Sequence, residues 1–252
     1  MNGDCLMHRN LIYRASRVLI KIYVFLMHKY EIFWQSPLPA GPKLFIANHP
    51  SGTDPFLIHL VSEEPVSTLI IRNAFDVPVF GAFLRRVKQI PVDPENGEKA
   101  FEKARRYLSR GRSVAIFPEG DFSLRGGGLR APRSGAARLA LSTGVPVIPV
   151  GIFIQHQWSY RIVSGITGKR TVGYWYLHGP YSVTVGDPME FTGDPADRRL
   201  VDEVSEEMMN QISLLHARSQ ARWRLHGKTG VLNDVLVWMR ILLRKWRSLF
   251  IQ

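Results

Sequence analysis

The sequence predicts a single-domain α/β fold, a largely parallel or mixed sheet flanked by helices, with amphipathic helices at both termini. Three observations carry this. Short apolar runs bounded by turn residues alternate with helix-like stretches between residues 43 and 150, the pattern of strands joined by helical crossovers. The 252 residues are 45% hydrophobic, enough for one substantial core, and no repeat or low-complexity linker divides residues 1–252. Basic residues concentrate towards the two ends, where apolar residues recur at helical spacing.

Taken in order, residues 9–29 form the first amphipathic helix, with Arg14, Arg17, Lys21 and His28 interrupting Leu, Ile, Tyr and Val. Its longest uncharged apolar run, 22–27, falls far short of the roughly 20 residues that a bilayer span needs. The helix is therefore expected to lie on a membrane or on the core. No compact apolar region ends in a small-residue cleavage site, so no signal peptide is expected.

Residues 37–42 are a turn, and 43–47 are short, apolar and bounded, as a buried strand should be. Residues 56–61 read as helix, 68–71 as a β-type run, 76–86 as a loop leading into a short helical piece, and 89–92 as strand. A helix with a charged face follows at 97–110, then a strand at 113–117. A loop rich in glycine and arginine, 125–133, precedes a helix of small residues and leucine, 134–143, closed by Gly144, and a buried strand, 145–150. Beyond Gly151 the pattern loosens: 171–177 and 181–185 read as strands, 197–217 as a charged helix, and 231–251 as a basic amphipathic helix with an interfacial tryptophan.

The net charge of +12 sits unevenly. Residues 1–30 hold five Lys/Arg and one acid, residues 216–252 hold eight and one, and the body between them is nearly neutral. This points to an anionic surface touched by the ends, where each basic residue contributes about 1 kcal/mol. The single cysteine, Cys5, excludes a disulfide framework and a cysteine-rich zinc site, and fits a reducing setting. The eight histidines show no ligand spacing such as His-Glu-x-x-His, so no metal is expected.

The stretch Asn48-His49-Pro50-Ser51-Gly52-Thr53-Asp54 leaves the strand 43–47 at its C-terminal end, where ligand sites collect in α/β sheets. A histidine with a carboxylate five residues on reads as a base and its orienting partner. Asp54 before Pro55 also reads as a helix N-cap. One carboxylate has two oxygens, so both roles are compatible. On a regular helix the two positions would face about 140° apart; Pro50, Ser51 and Gly52 argue for a turn that brings them together. A second polar group, Pro118-Glu119-Gly120, follows the strand 113–117, and Arg125, Arg130 and Arg133 supply forked donors for phosphate or carboxylate.

Asn48-His49 with Asp54, then Gly81-Ala82-Phe83-Leu84-Arg85-Arg86 and Ile90-Pro91-Val92-Asp93, then Phe117-Pro118-Glu119-Gly120, then Val145-Pro146-Val147-Ile148-Pro149-Val150 resemble the four ordered blocks of the glycerolipid acyltransferase family. That family includes the bacterial 1-acylglycerol-3-phosphate acyltransferases, and the resemblance covers about residues 40–155. It implies an acyltransferase-type α/β core in which His49 is the general base and Asp54 orients and polarises it. The acceptor hydroxyl would attack the thioester of acyl-CoA or acyl carrier protein directly, with that thioester as co-substrate and no further cofactor. Glu119 and Gly120 match the block that holds the acceptor, with Asn48, Phe117 and Pro118 as motif support. Phosphoglycerol acyltransferases tend to carry a phosphate-binding arginine just after the strand matching 90–93, where this chain has Pro94; Arg85 and Arg86, or Arg125, Arg130 and Arg133, stand in as substitutes.

The partners implied are an anionic membrane surface, acyl-CoA or acyl carrier protein, and a lysolipid acceptor, with no nucleic acid. The expected place is the cytoplasmic face of the cell membrane, peripheral or monotopic, without a span. No Ser stands in a Gly-x-Ser-x-Gly elbow, so Ser51 and Ser123 read as hydrogen-bonding loop residues. Two other readings stay open: an acyl-thioester hydrolase in which His49 activates water, and a non-catalytic protein binding anionic lipid or nucleic acid. Against nucleic acid, no stacking aromatics are interleaved with the central basic residues and no known binding motif is present.

Overall fold

The alternation of strand and helix recurs in the computed structural model of the chain, which describes residues 3–93, 95–125, 128–164 and 171–226. The first half runs α1 (Gly3–Met27), β1 (His28–Trp34), β2 (Leu44–Ala47), α2 (Asp54–Leu57), β3 (Val66–Ile71), α3 (Phe80–Arg86), β4 (Ile90–Val92) and α4 (Glu98–Ser109). The second runs β5 (Ser113–Ile116), α5 (Gly135–Thr143), β6 (Val147–Ile154), β7 (Tyr160–Ser164), β8 (Thr171–Trp175), β9 (Gly179–Val185) and α6 (Arg198–His226).

Seven strands form one sheet in the order β1-β9-β6-β2-β5-β3-β4, and β7 pairs with β8 alone. The five strands from β6 to β4 are mutually parallel, β9 is antiparallel to β6, and β1 is parallel to β9. The fold is thus mixed α/β with a mostly parallel sheet. Its C-terminal edge gathers the residues that follow β2, β5, β3 and β4, together with the starts of β1 and β9.

Successive side chains of a strand face opposite ways, and β2 buries both sets. Leu44 and Ile46 join one layer with Leu108, Leu139 and Ile212 of the helices α4, α5 and α6. Phe45 and Ala47 join the other with Val24 of α1, Leu57 of α2 and Tyr181 of β9. A strand covered on both faces reads as an unbroken apolar run, which is why β2 was legible. Burying Leu44, Phe45 and Ile46 stabilises the fold by about 1.5–3 kcal/mol each. The helix α6 crosses β6 so closely that a Cβ on Gly151 would stand 2.1 Å from the main-chain nitrogen of His216, so only glycine fits there.

Several expectations need correction. The first helix, expected over 9–29, runs as α1 from Gly3 and stops two residues short, at Met27, and His28–Trp34 pair with β9 in register from Gly179 to Val185. Tyr30, Ile32, Phe33 and Trp34 favour a pleated, half-buried surface, and the ladder to β9 outweighs continuation of the helix. Residues 160–164 form a strand where none was expected, and the helix expected at 197–217 runs on to His226. Residues 56–61 divide into α2 and a 3₁₀ turn, Ile58–Leu60. Pro94 and the amphipathic segment 231–251 lie outside the described residues.

α1 is held by one face. Tyr13 and Val24 are buried, and Arg17 makes a two-pronged pair with Glu63 while its Nε donates to the His59 carbonyl at 3.1 Å. The opposite face leaves Leu19, Phe25 and Leu26 exposed, Phe25 at 81%. Among the described residues, no helix is long and apolar enough to cross a membrane.

Candidate active site

The chain leaves β2 through a loop whose every turn is tied to a neighbouring strand. The Asn48 amide replaces a ladder pair with β6, donating to the Ile152 carbonyl at 2.8 Å and accepting from its N–H at 2.7 Å. Ser51 Oγ accepts from the Tyr176 N–H at 2.8 Å, and the Gly52 N–H donates to the Tyr174 carbonyl at 2.7 Å. The loop is therefore clamped between β6 and the end of β8.

That clamp sets His49 beside Asp54. His49 Nδ1 lies 2.9 Å from Asp54 Oδ2, which also accepts from the Ser51 N–H at 2.7 Å. Asp54 Oδ1 accepts from the Tyr181 hydroxyl at 2.8 Å. The carboxylate is fully buried and accepts from three donors. In a neutral imidazole, Nδ1–H donating to that carboxylate leaves the lone pair on Nε2. Among the described residues nothing bonds Nε2. The ring stacks on Phe117 at 4.3 Å and tilts over Phe122 at 4.7 Å, and its side chain is 16% exposed.

The capping reading of Asp54 fails. Thr53 occupies the N-cap position, and the N–H groups of Phe56 and Leu57 bond the Thr53 carbonyl. The carboxylate instead bonds His49 and the Ser51 N–H of its own loop and the Tyr181 hydroxyl of β9.

Glu119 is buried and faces inward. Its Oε1 accepts from the His49 N–H at 3.0 Å and from the Ser123 hydroxyl, and its Oε2 from the Arg130 N–H at 2.7 Å. The Ser123 N–H in turn donates to the His49 carbonyl at 2.9 Å. The second motif thus braces the main chain of the first. Gly120 has φ +65, and a Cβ there would meet Arg133 Nε at 2.4 Å, so the glycine lets the Arg133 side chain lie across the turn. Pro118 accepts from the Arg133 N–H at 2.8 Å.

The arginines divide. Arg125 lies over the Tyr174 ring at 4.4 Å, and Arg130 Nε donates to the Phe122 carbonyl at 2.6 Å, so both border the His49 loop. Arg85, on α3, donates to the Phe75 carbonyl at 2.7 Å, and Arg86 is exposed. Arg72, the first residue after β3, is exposed on the same sheet edge as His49. Sequence reasoning passed over it, although its place directly behind a strand was the available signal. Tyr181 was also missed; it stands 127 residues from its partner Asp54 and no local pattern marks it.

Burial pushes the Tyr181 phenol well above its ordinary value, and the Asp54 charge adds to this, so it remains a donor. His156, behind β6, is pushed down by burial and by His216 and Arg125, while Asp54 pulls the other way. Among the described residues, no group of three or more His, Cys, Asp or Glu could hold a metal ion. A groove of about 1340 Å³ opens elsewhere, between α1, β1 and residues 35–40, and neither His49 nor Asp54 lines it.

Comparison with known proteins matches residues 29–153 to the acyltransferase family model. The chain is 32% identical to the 1-acyl-sn-glycerol-3-phosphate acyltransferase of Escherichia coli K12 over 114 residues, 44% of this chain and 46% of that protein. It is 26% identical to that of Pseudomonas aeruginosa PAO1 over 170 residues, 66% and 61% of the two chains. The chain spans about half the length of the curated relatives it matches. Its fold resembles the crystal structure of the 1-acyl-sn-glycerophosphate acyltransferase of Thermotoga maritima, with a TM-score of 0.64 at 18% identity over 88% of this chain and 85% of that one. With the motif-bearing core inside the matched region, residues 29–153 are a domain of the acyltransferase family, shared with the curated glycerolipid acyltransferases it resembles.

Proposed function

We propose that the protein transfers a fatty acyl group from an acyl thioester to the hydroxyl of a glycerol-phosphate or lysophospholipid-type acceptor at a membrane surface, as a step in phospholipid synthesis. The observation that carries this is the His49–Asp54 pair, 2.9 Å apart, with Nε2 unbonded among the described residues. Nε2 takes the acceptor hydroxyl proton as its oxygen attacks the thioester carbonyl. The carbon–sulfur bond of the tetrahedral intermediate then breaks, and the imidazolium returns the proton to the departing thiolate of coenzyme A or acyl carrier protein. Asp54 keeps the tautomer fixed and offsets the imidazolium charge. The name of the relatives, 1-acyl-sn-glycerol-3-phosphate acyltransferase, supports this choice of acceptor.

Glu119 and Gly120 serve the acceptor side by fixing the His49 main chain and the path of Arg133. Arg85, Arg86 and Arg133, with Arg72, are the cations we assign to the acceptor phosphate. The apolar outer face of α1 supports a membrane surface: Leu19, Phe25 and Leu26 stand in solvent beside Arg14 and Lys21, as in a helix lying among headgroups. The groove beside α1 suits a lipid chain, and His28, which lines it, lies 5.8 Å from the ring of Tyr181, whose hydroxyl bonds Asp54. On this reading the protein sits peripherally on the cytoplasmic face.

The test incubates the purified protein with labelled acyl-CoA and acyl carrier protein thioesters and a panel of lysolipids, and identifies the products by mass spectrometry. Acylated lysolipid is the expected product. Free fatty acid alone, with every acceptor tried, would move the assignment to a thioesterase.

A further inference from the structure

We propose that Tyr181 is a positioning residue for the base, fixing Asp54 so that one defined carboxylate oxygen faces His49. This rests on the reading of His49 as the base and adds a third member to the pair. Asp54 Oδ2 takes both the His49 Nδ1–H and the Ser51 N–H, and Oδ1 takes the Tyr181 hydroxyl at 2.8 Å. The carboxylate is 0% exposed, so no solvent replaces a lost donor. Without the hydroxyl, Oδ1 is a buried charged oxygen with nothing to bond. A carboxylate turns easily about its last torsion. It would then compete for the Ser51 N–H with either oxygen, and the His49 ring would lose its fixed partner.

Tyr181 is itself hard to move. Its main chain lies in β9, between Tyr30 of β1 and Ile154 of β6. Its ring stacks on Tyr30 at 5.8 Å and 22°, and meets His28 edge-on at 5.8 Å. The hydroxyl is therefore held at one point of the sheet edge, independently of the loop that carries His49 and Asp54. Two unrelated segments thus fix the carboxylate from opposite sides. Tyr30 provides the contrast: it is the neighbouring tyrosine of the same cluster, and its buried hydroxyl has no hydrogen-bond partner among the described residues.

The experiment compares Tyr181→Phe, Tyr30→Phe and His49→Ala in the full chain, by acyl-transfer kinetics and by the NMR resonance of the His49 Nδ1–H. Tyr181→Phe is expected to lower kcat about tenfold, equivalent to about 1.4 kcal/mol, with KM within about twofold, because the hydroxyl touches no substrate. The Nδ1–H resonance should broaden or shift. Tyr30→Phe keeps the ring that packs on Tyr181 and removes a hydroxyl that bonds neither Asp54 nor His49, so it should leave the Nδ1–H resonance where the parent has it. A Tyr181→Phe variant with parental kcat and an unchanged resonance, beside an inactive His49→Ala, would overturn the proposal alone. A variant whose only change is a lower melting temperature would do the same. Full activity in His49→Ala would instead remove the base itself, and this inference with it.

Discussion

His49 and His59 stand ten residues apart in one short segment, and the structure gives them opposite environments. His49 has a carboxylate on Nδ1, aromatic rings on its flanks and an unbonded Nε2 at a partly open surface. His59 is buried under α1, 3.3 Å from the Tyr13 hydroxyl, with Arg17 donating to its carbonyl and no carboxylate on its ring. Burial, reinforced by Arg112 and Arg17, pushes His59 down to about 3. On the proposed mechanism, an anion on one nitrogen and an open lone pair on the other suit His49 to act as a base, while a histidine among cations and apolar groups stays neutral and structural.

The strongest way to break the contrast is Asp54→Ala. It leaves the Ser51 N–H and the Tyr181 hydroxyl buried without a partner, at about 1–3 kcal/mol each, and removes the anion from His49. Activity should fall by about 10²–10⁴-fold and the melting temperature should drop; parental turnover would make the carboxylate irrelevant. Next is Glu119→Ala, which strands the Ser123 hydroxyl proton and the Arg130 N–H and leaves the His49 N–H only Ser123 Oγ to bond. A loss of about 2–4 kcal/mol is expected in denaturant unfolding, with a smaller loss for Glu119→Gln. Equal stability of parent and alanine variant would refute the brace.

The other half of the comparison shows in pH. The unfolded chain protonates His59 near its ordinary 6.5, whereas the folded chain resists until about 3. The unfolded state therefore binds more protons between those values, and stability rises with pH across that window. Lowering pH from 7 to 5 should cost about 2 kcal/mol from His59 alone, lowering the melting temperature by about 4–8 °C. A flat melting temperature over that range would contradict the buried, neutral His59. The smallest effect is expected from Arg72→Ala and Arg86→Ala, which should raise KM by about 3–10-fold for a phosphate-bearing acceptor and leave a phosphate-free acceptor unchanged.

What the sequence made legible follows from range. The runs that became β2, β5 and β6 are buried on both faces, so composition alone marked them. β1 escaped because its reason for being a strand is β9, some 150 residues away, and no glycine or proline separates it from α1. Spacing alone left the pairing of His49 with Asp54 open beside a helix cap; its recurrence in order with the other motif blocks marked it, and one tight loop closes it. Tyr181 was not legible, because only the sheet brings it there. Glu119 was legible as part of a motif but not as an inward brace, since which way a carboxylate turns depends on donors from other loops.

The central claim is that His49, oriented by Asp54, drives acyl transfer. The most direct test is product formation by the parent and by His49→Ala, from a labelled acyl thioester and a lysolipid, with folding of both checked by circular dichroism. The account predicts acylated lysolipid from the parent and none above background from a folded His49→Ala. Transfer by His49→Ala within a few fold of the parent would contradict it.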